Sequence, residues 1–385
     1  MSIGMPRGKQ TVSMTGEGQR RRVIGIRDLN RALLARQMLL QRAPISALEA
    51  IERLCGMQSQ TPNAPYFGLW TRLEGFRQEQ LSQLLQDRQV VRIALMRSTI
   101  HLVSSNDCLE LRPWLQSALD RSLKAAFGKR LAGVDLVRLA EAGRKLVEEK
   151  PMTFKELGSR LRAEWPEHAP EALAAAVRNA VPLVQTPPRG LWGNSGQSTH
   201  TSVEAWLNQP LNLQYSSEKM IKRYLAAFGP ATIQDIEAWS GLTRIRKEIE
   251  YMRHQLVTYQ DEQGAELFDL PDTPLPESDM EPPARFLGEY DNILLSHANR
   301  NRIMDEVTRK RVITSNGIVH STILLDGFVA GKWKHRQDKG NSALIIQPFR
   351  RLTQREQIAL SEEGERLLEF STSTASREIV FEPAL

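Results

Sequence analysis

A mainly α fold with β (α+β) is predicted for this chain: three helix–helix–hairpin units in tandem, followed by a small C-terminal β-barrel. Three observations predict it. Capping boxes at Ser46-Ala47-Leu48-Glu49 and Thr153-Phe154-Lys155-Glu156 start short helices, and Thr232 caps a third. Each of these regions runs on into a β-prone stretch interrupted by a turn. Past a proline-rich, acidic segment at 271–283, strand signals alternate with turns until one final helix.

The elements follow in chain order. Asp28-Leu29-Asn30 opens a helix with apolar residues at 29, 33, 34 and 40, running to Pro44. The Ser46 box starts a second helix that carries Ile51, Leu54 and Cys55 towards Gln58. Tyr66, Phe67 and Trp70 keep a helical spacing and read as core rather than as base-stacking groups. Residues 90–103, rich in Val, Ile and Leu, read as two strands around Arg97-Ser98. Helices followed by a hairpin is the order of a winged helix. The order recurs: the Thr153 box opens a helix to Leu161, residues 171–180 form an alanine-rich helix, and 181–192 read as a second wing. In the third copy, Tyr224 to Phe228 ends a helix at Gly229-Pro230, and the Thr232 helix stops near Gly241. A helix with Ile245, Ile249 and Met252 then leads to strands at 257–259 and 266–268 around Glu262-Gln263-Gly264.

In the C-terminal part, strands are expected at 293–295, 311–314, 319–325, 328–333 and 344–347. Asp326-Gly327 is the hairpin turn, and an amphipathic helix covers 353–370. The expected boundaries are a flexible basic tail at 1–22, winged helices at 23–130, 131–212 and 213–280, a β-barrel with a helix at 281–371, and a loosely held tail at 372–385.

At 385 residues, with 25% charged and 41% hydrophobic residues, the chain has the composition of an ordinary soluble protein of two to four compact units. It holds no apolar run long enough to span a membrane, and residues 1–22 lack the apolar stretch of a secretory signal. A cytoplasmic, nucleoid-associated protein is expected. The tail carries Arg7, Lys9, Arg20, Arg21 and Arg22 against Glu17, a net +4 of the formal +6. The rest is nearly balanced, so nucleic-acid binding would need a local patch. Two cysteines, Cys55 and Cys108, fit a reducing compartment and no disulfide framework. The seven histidines are scattered and contain no His-x-x-x-His pair, so metal catalysis has no support in the sequence. No dimerising coiled coil is evident, and a monomer is expected.

The most informative stretch is Gln58-Ser59-Gln60-Thr61-Pro62. A residue before proline is pushed out of the α region, so the segment is locally extended, and residues i and i+2 then point to one side. Two carboxamides converging there can hold a single water. The plainer reading is a solvated helix end.

Several segments together resemble one family. They are Arg36-Gln37-Met38-Leu39-Leu40, Gln58-Ser59-Gln60-Thr61-Pro62, and the run from Ala64 through Tyr66-Phe67-Gly68-Leu69-Trp70 to Leu73. Met96-Arg97-Ser98-Thr99-Ile100-His101-Leu102, Arg223-Tyr224-Leu225, Asp326-Gly327 and Gly331-Lys332-Trp333 complete the set. In order and spacing this set is similar to the AlkZ-like DNA glycosylases, over residues 23 to 371. The resemblance implies three tandem winged helices and a β-barrel forming a C-shaped, DNA-binding body. It implies removal of alkylated purines, bulky or crosslinked N7-alkylguanine above all, in DNA repair or antibiotic self-resistance, with no metal or organic cofactor. It places the catalytic Gln-Φ-Gln motif on Gln58 and Gln60. The middle position is usually apolar and here is Ser59, a departure that bears on substrate range. A related branch has Asp at the second position, so Gln60 favours the AlkZ-like side.

A carboxamide is no base at neutral pH, but it can orient and polarise a water. That suffices only for a leaving group already primed, as a cationic N7-alkylguanine is. No lysine in the motif can form a Schiff base, so a monofunctional enzyme leaving an abasic site is expected. The partner would be double-stranded DNA carrying alkylated bases.

Arg97, Thr99 and His101 alternate on the first wing and share one face. They read as phosphate or lesion contacts, or else as a surface salt bridge and a structural hydrogen bond. Asp291-Asn292 and the run His297 to Arg302, with Arg300 between, suit backbone contacts to DNA or a solvated loop. Lys332, with Lys334, His335 and Arg336, widens this patch or guards a strand edge. The candidate DNA-binding set is thus Arg97, Thr99, His101, Asn292, His297, Arg300, Arg302 and Lys332. The competing function is a non-catalytic winged-helix DNA-binding protein or transcription regulator, which would not require the glutamine pair.

Overall fold

The Ser46 hydroxyl accepts the Glu49 N–H while the Glu49 carboxylate accepts the Ser46 N–H, so helix Ala47–Arg53 begins at the predicted box. It ends sooner than its apolar pattern implies. Cys55 and Gly56 take positive φ, 53° and 84°, and turn the chain into the strand Met57–Gln58. A Cβ on Gly56 would sit 2.5 Å from Val103 Cγ1, so only glycine fits this close approach. Gln58 is therefore a strand residue, not the end of a helix. The structure, a computed structural model, describes residues 22–338, 340–373 and 376–384. The tail charges at Arg7, Lys9, Glu17, Arg20 and Arg21 lie outside the described residues.

Met57–Gln58 forms the edge of a five-stranded sheet. Next come Ile100–Ser104, Val90–Ala94, Leu183–Gln185 and His200–Ser202, every pair antiparallel. The hairpin around Arg97 is as expected. The second expected wing, at 181–192, contributes only Leu183–Gln185, whose own partner lies beyond a long loop. The β segments of the first and second regions thus share one sheet rather than standing apart. In the third region, helices Ile233–Ser240 and Arg246–Met252 precede the hairpin Val257–Asp261/Glu266–Asp269. Val23–Ile24 adds a parallel edge strand to it.

The C-terminal sheet corrects the barrel. Its order is Ser376–Phe381, Asn341–Pro348, Phe328–Asp338, Thr322–Leu325, Arg285–Leu287, and its two edges do not pair with each other. It is an open sheet, covered on one side by helix Gln354–Ser371. Two expected strands are helical instead. Asp291 caps a 3₁₀ turn at Asn292–Leu294, and Asp305 caps helix Glu306–Val312, because side-chain caps win over short apolar runs. Residues 376–381, expected to be loose, pair parallel with 341–346.

One apolar core joins the first hairpin (Val91, Ile93, Val103) to Tyr224, Phe228 and Trp239 of the third region and to Ile293 and Leu294. A second packs Tyr66, Leu69 and Trp70 on Phe286, Trp333 and Leu344. Both cores flank the Gln58 edge, which fixes it between three parts of the chain. Among the described residues no helix is long and apolar enough to cross a membrane.

Candidate active site

Gln58 lies opposite His101 in the sheet and is 7% exposed. Its Oε1 accepts from Arg97 Nη2 at 2.8 Å, while Arg97 Nη1 donates to the Trp239 carbonyl at 2.7 Å. A guanidinium has only donors, so this bond sets the amide's orientation: Oε1 faces Arg97 and the Nε2 donors face away. Asn292 secures the backbone beneath. Its Nδ2 donates to Gly56 O at 2.7 Å and its Oδ1 accepts from Gln58 N at 3.4 Å. Gln58, Arg97, His101, Trp239, Tyr290 and Asn292 line a narrow cleft with no carboxylate in its wall.

Arg97 is presented by a tight turn in which Arg97 and Ser98 both have positive φ, 54° and 59°. Neither is a usual left-handed residue. The Thr99 hydroxyl donates to Met96 O, and Arg178 donates to Ser98 O, so the turn is held from two sides. Burial, then the nearby Arg300 charge, pushes the Arg97 guanidinium down to about 10. It remains a cation at neutral pH, with no carboxylate bonded to it.

Gln60 is exposed, and its Oε1 accepts from Ile100 N at 3.3 Å. Ser59 between the two is fully buried and points to the opposite face. Its hydroxyl and carbonyl accept from Arg92 Nε and Nη2, at 3.0 and 2.8 Å. The serine in place of an apolar residue therefore has a bonded partner.

His101 is buried, and its Nδ1 donates to Thr99 O at 3.0 Å. Burial, with Arg97 adding to it, pushes its pKa down to about 3. It is neutral at pH 7, with Nε2 left as an acceptor. The thiols of Cys55 and Cys108 are pushed up to about 12 by burial and stay protonated. Among the described residues no cluster of three or more His, Cys, Asp or Glu that could hold a metal comes together.

Of the ten expected site residues, the fold gathers Gln58, Gln60, Arg97, Thr99, His101 and Asn292 around one strand edge. Two expectations are corrected. His297 is 2% exposed, bonded to Ser296 Oγ and the Phe228 carbonyl, and Arg302 is 6% exposed, bonded to the Pro230 carbonyl with Asp235 at 4.0 Å. Both brace the third region from inside, because alternation with Asn in sequence says nothing of which side chain turns inward. Arg300 between them is half-buried, close enough to weigh on Arg97, and its Nε has no acceptor. Lys332 is half-buried on its strand and shares a face with Lys334 and Arg336. Asp291 is spent on Arg72, through two bonds of 2.8 Å. Tyr66, Phe67 and Trp70 are packed as core. The Trp239 carbonyl and Arg92 were not legible in the sequence as parts of the site. Their only signals are a helix end at Gly241 and an arginine inside an otherwise apolar strand.

Three comparisons bear on this geometry. Residues 51–370 match the family model described as DNA glycosylase AlkZ-like. A curated protein of Streptomyces sahachiroi, described as an interstrand DNA cross-link repair glycosylase, is 26% identical over 341 residues, covering 82% of this chain and 88% of that protein. The solved structure of Streptomyces sahachiroi DNA glycosylase AlkZ is similar with a TM-score of 0.75, at 21% identity, over 94% of this chain and 100% of that one. At that identity the structural likeness is one of fold.

Proposed function

This chain belongs to the AlkZ-like DNA glycosylase family, and from that premise we propose that it is a monofunctional enzyme hydrolysing the N-glycosidic bond of N7-alkylated purines in DNA, with Gln58 and Gln60 holding the attacking water. The family makes it a DNA glycosylase of DNA repair. The substrate class is our reading: bulky or crosslinked N7-alkylguanine, in keeping with the cross-link named for the relative.

The observation that carries the reading is the Arg97–Gln58 bond. With Oε1 bound to Arg97, Gln58 can only donate into the cleft, through Nε2, to a water oxygen. A complementary acceptor for that water's proton is available from the second lone pair of Gln60 Oε1 or from His101 Nε2. The water is thereby oriented and polarised, not deprotonated. The C1′–N9 bond breaks and its electron pair neutralises the cationic purine. The water oxygen then bonds to C1′, its proton leaves to solvent, and an abasic site remains. Near-attack positioning of this kind supplies several kcal/mol, enough for a leaving group that already carries positive charge. Arg97 and Arg300, neither of them ion-paired among the described residues, would meet phosphates flanking the lesion. The first and third regions, each with helices followed by a hairpin, read as winged helices cradling the duplex, with the second region's strands added to the first sheet, and the protein reads as a monomer.

The test is base release from duplex DNA carrying N7-methylguanine and from a bulkier N7 adduct. Wild type should release both, and the Gln58→Ala/Gln60→Ala double variant should lose about 10²-fold or more. Full activity of the double variant sinks the mechanism. No release from any adduct, alongside salt-sensitive sequence-specific binding, would favour a regulator.

A further inference from the structure

We infer that Arg92 is a positioning residue of the reaction, holding the catalytic segment from behind through Ser59. The inference rests on the reading of Gln58 and Gln60 given above.

Arg92 is 2% exposed. Of three equally buried arginines, Arg31 and Arg72 each reach a carboxylate, Asp326 and Asp291, while Arg112 reaches the Gln116 side chain and the Asn179 carbonyl. Arg92, like Arg112, has no carboxylate partner among the described residues. Its bonds go to Ser59 Oγ and Ser59 O, and its Nη1 has no partner among the described residues. A buried cation without a counter-charge is costly, so its place in the sheet calls for a reason. It comes from Val90–Ala94, two strands away from Met57–Gln58, and crosses above Leu102 to reach the motif. Gly190 makes room for it: a Cβ there would lie 2.9 Å from Arg92 Cδ and Nη1. Tyr66, on the helix that follows the motif, donates to the Gly190 carbonyl and closes the enclosure.

The strand pairing of Met57–Gln58 ends at Gln58, and Gln60 is exposed. Beyond the bond from Ser59 N to Ile100 O, the backbone between the two amides is therefore fixed chiefly by Arg92. The planar fork takes a hydroxyl and a carbonyl of one residue at once, which a lysine cannot do. Ser59 and Arg92 form a unit: the hydroxyl is needed because the guanidinium is there. An apolar side chain at 59 would leave Arg92 Nε without its acceptor and only the bond to the residue's carbonyl in place.

The test compares wild type with Ser59→Ala, Arg92→Lys, Arg92→Met and Ser59→Ala/Arg92→Met. Single-turnover release of N7-methylguanine, affinity for the same duplex and thermal melting are measured for each. The expected result is a rate loss of about 10–100-fold for each single variant, with affinity within about twofold of wild type. The double variant should be no slower than the worse single one, because the two act as one unit. Rates unchanged in folded Arg92→Met, or losses that multiply in the double variant, overturn the inference. So does a rate that merely follows the fraction folded at the assay temperature. A wild type that releases no base sinks the functional reading itself, a different outcome from an active wild type with unaffected variants.

Discussion

Replacing Arg97 by methionine tests the site at its hinge. Arg97 makes two charge-assisted hydrogen bonds, 2.8 Å to Gln58 Oε1 and 2.7 Å to the Trp239 carbonyl. Met keeps length and apolar bulk but removes both. Bonds of this kind contribute about 1.5–3 kcal/mol each, and the acceptors left behind are largely buried. Against that stands the desolvation of the guanidinium, which already pulls it down to about 10. The two effects oppose each other, so net stability should change by no more than about 2 kcal/mol. Catalysis has no such offset. Once Gln58 Oε1 is released, the amide can turn over and present the wrong group to water, and misplacement on this scale costs about 10²-fold in rate. Arg97→Lys can reach one acceptor but not both, and should fall between. The assay is single-turnover release of N7-methylguanine at saturating enzyme, paired with urea unfolding to confirm the folded state. A folded Arg97→Met protein that retains more than about half the wild-type rate would falsify the idea that Arg97 orients Gln58.

Three further outcomes follow from particular residues. His101, His297 and His200 are buried and pushed down to about 3, 3 and 4, burial being the first cause in each. The unfolded chain then binds more protons below about pH 6.5, so stability is fully present above that pH and is lost as pH falls towards 4. The slope is on the order of 1.4 kcal/mol per unit for each histidine, and thermal melts from pH 7.5 to 5 should show it. The buried Arg302, held by Pro230 O and near Asp235, should cost about 3–5 kcal/mol when changed to alanine, read by urea melts. Arg300→Ala should leave the melt nearly unchanged and lower the salt slope of DNA binding by about 0.9; an equal melt loss in both variants would contradict the assignment. Deleting residues 373–385 removes the parallel edge strand, with Ile379 and Phe381 packed on the second core. That should cost about 2–4 kcal/mol, visible as a lower melting temperature.

The elements legible in sequence are those written in local chemistry. The boxes at Ser46 and Thr153 and the cap at Thr232 all start helices, where a side chain and a backbone N–H three residues apart exchange bonds. The hairpin around Arg97 was equally legible, since a β-branched run needs only its neighbours to declare itself. Strands 293–295 and 311–314 were misread because short apolar runs look alike in helix and sheet. The barrel was misread because closure depends on whether two edges meet, which no local pattern encodes.

The same division runs through the site. The sequence by itself determined that two carboxamides stand two residues apart just ahead of a proline. It also determined the family, because the ordered motifs are a property of the string. Only the tertiary structure decided which way each amide faces, since that orientation is imposed by Arg97 and Ile100, some forty residues downstream. Only the tertiary structure turned Arg302 and His297 inward while leaving Arg300 without an ion-pair partner among the described residues, three residues of one polar run. The physical reason is common to both: a hydrogen-bond partner or a counter-charge acts across space, and the chain brings those partners together only after the sheet and its two cores have formed.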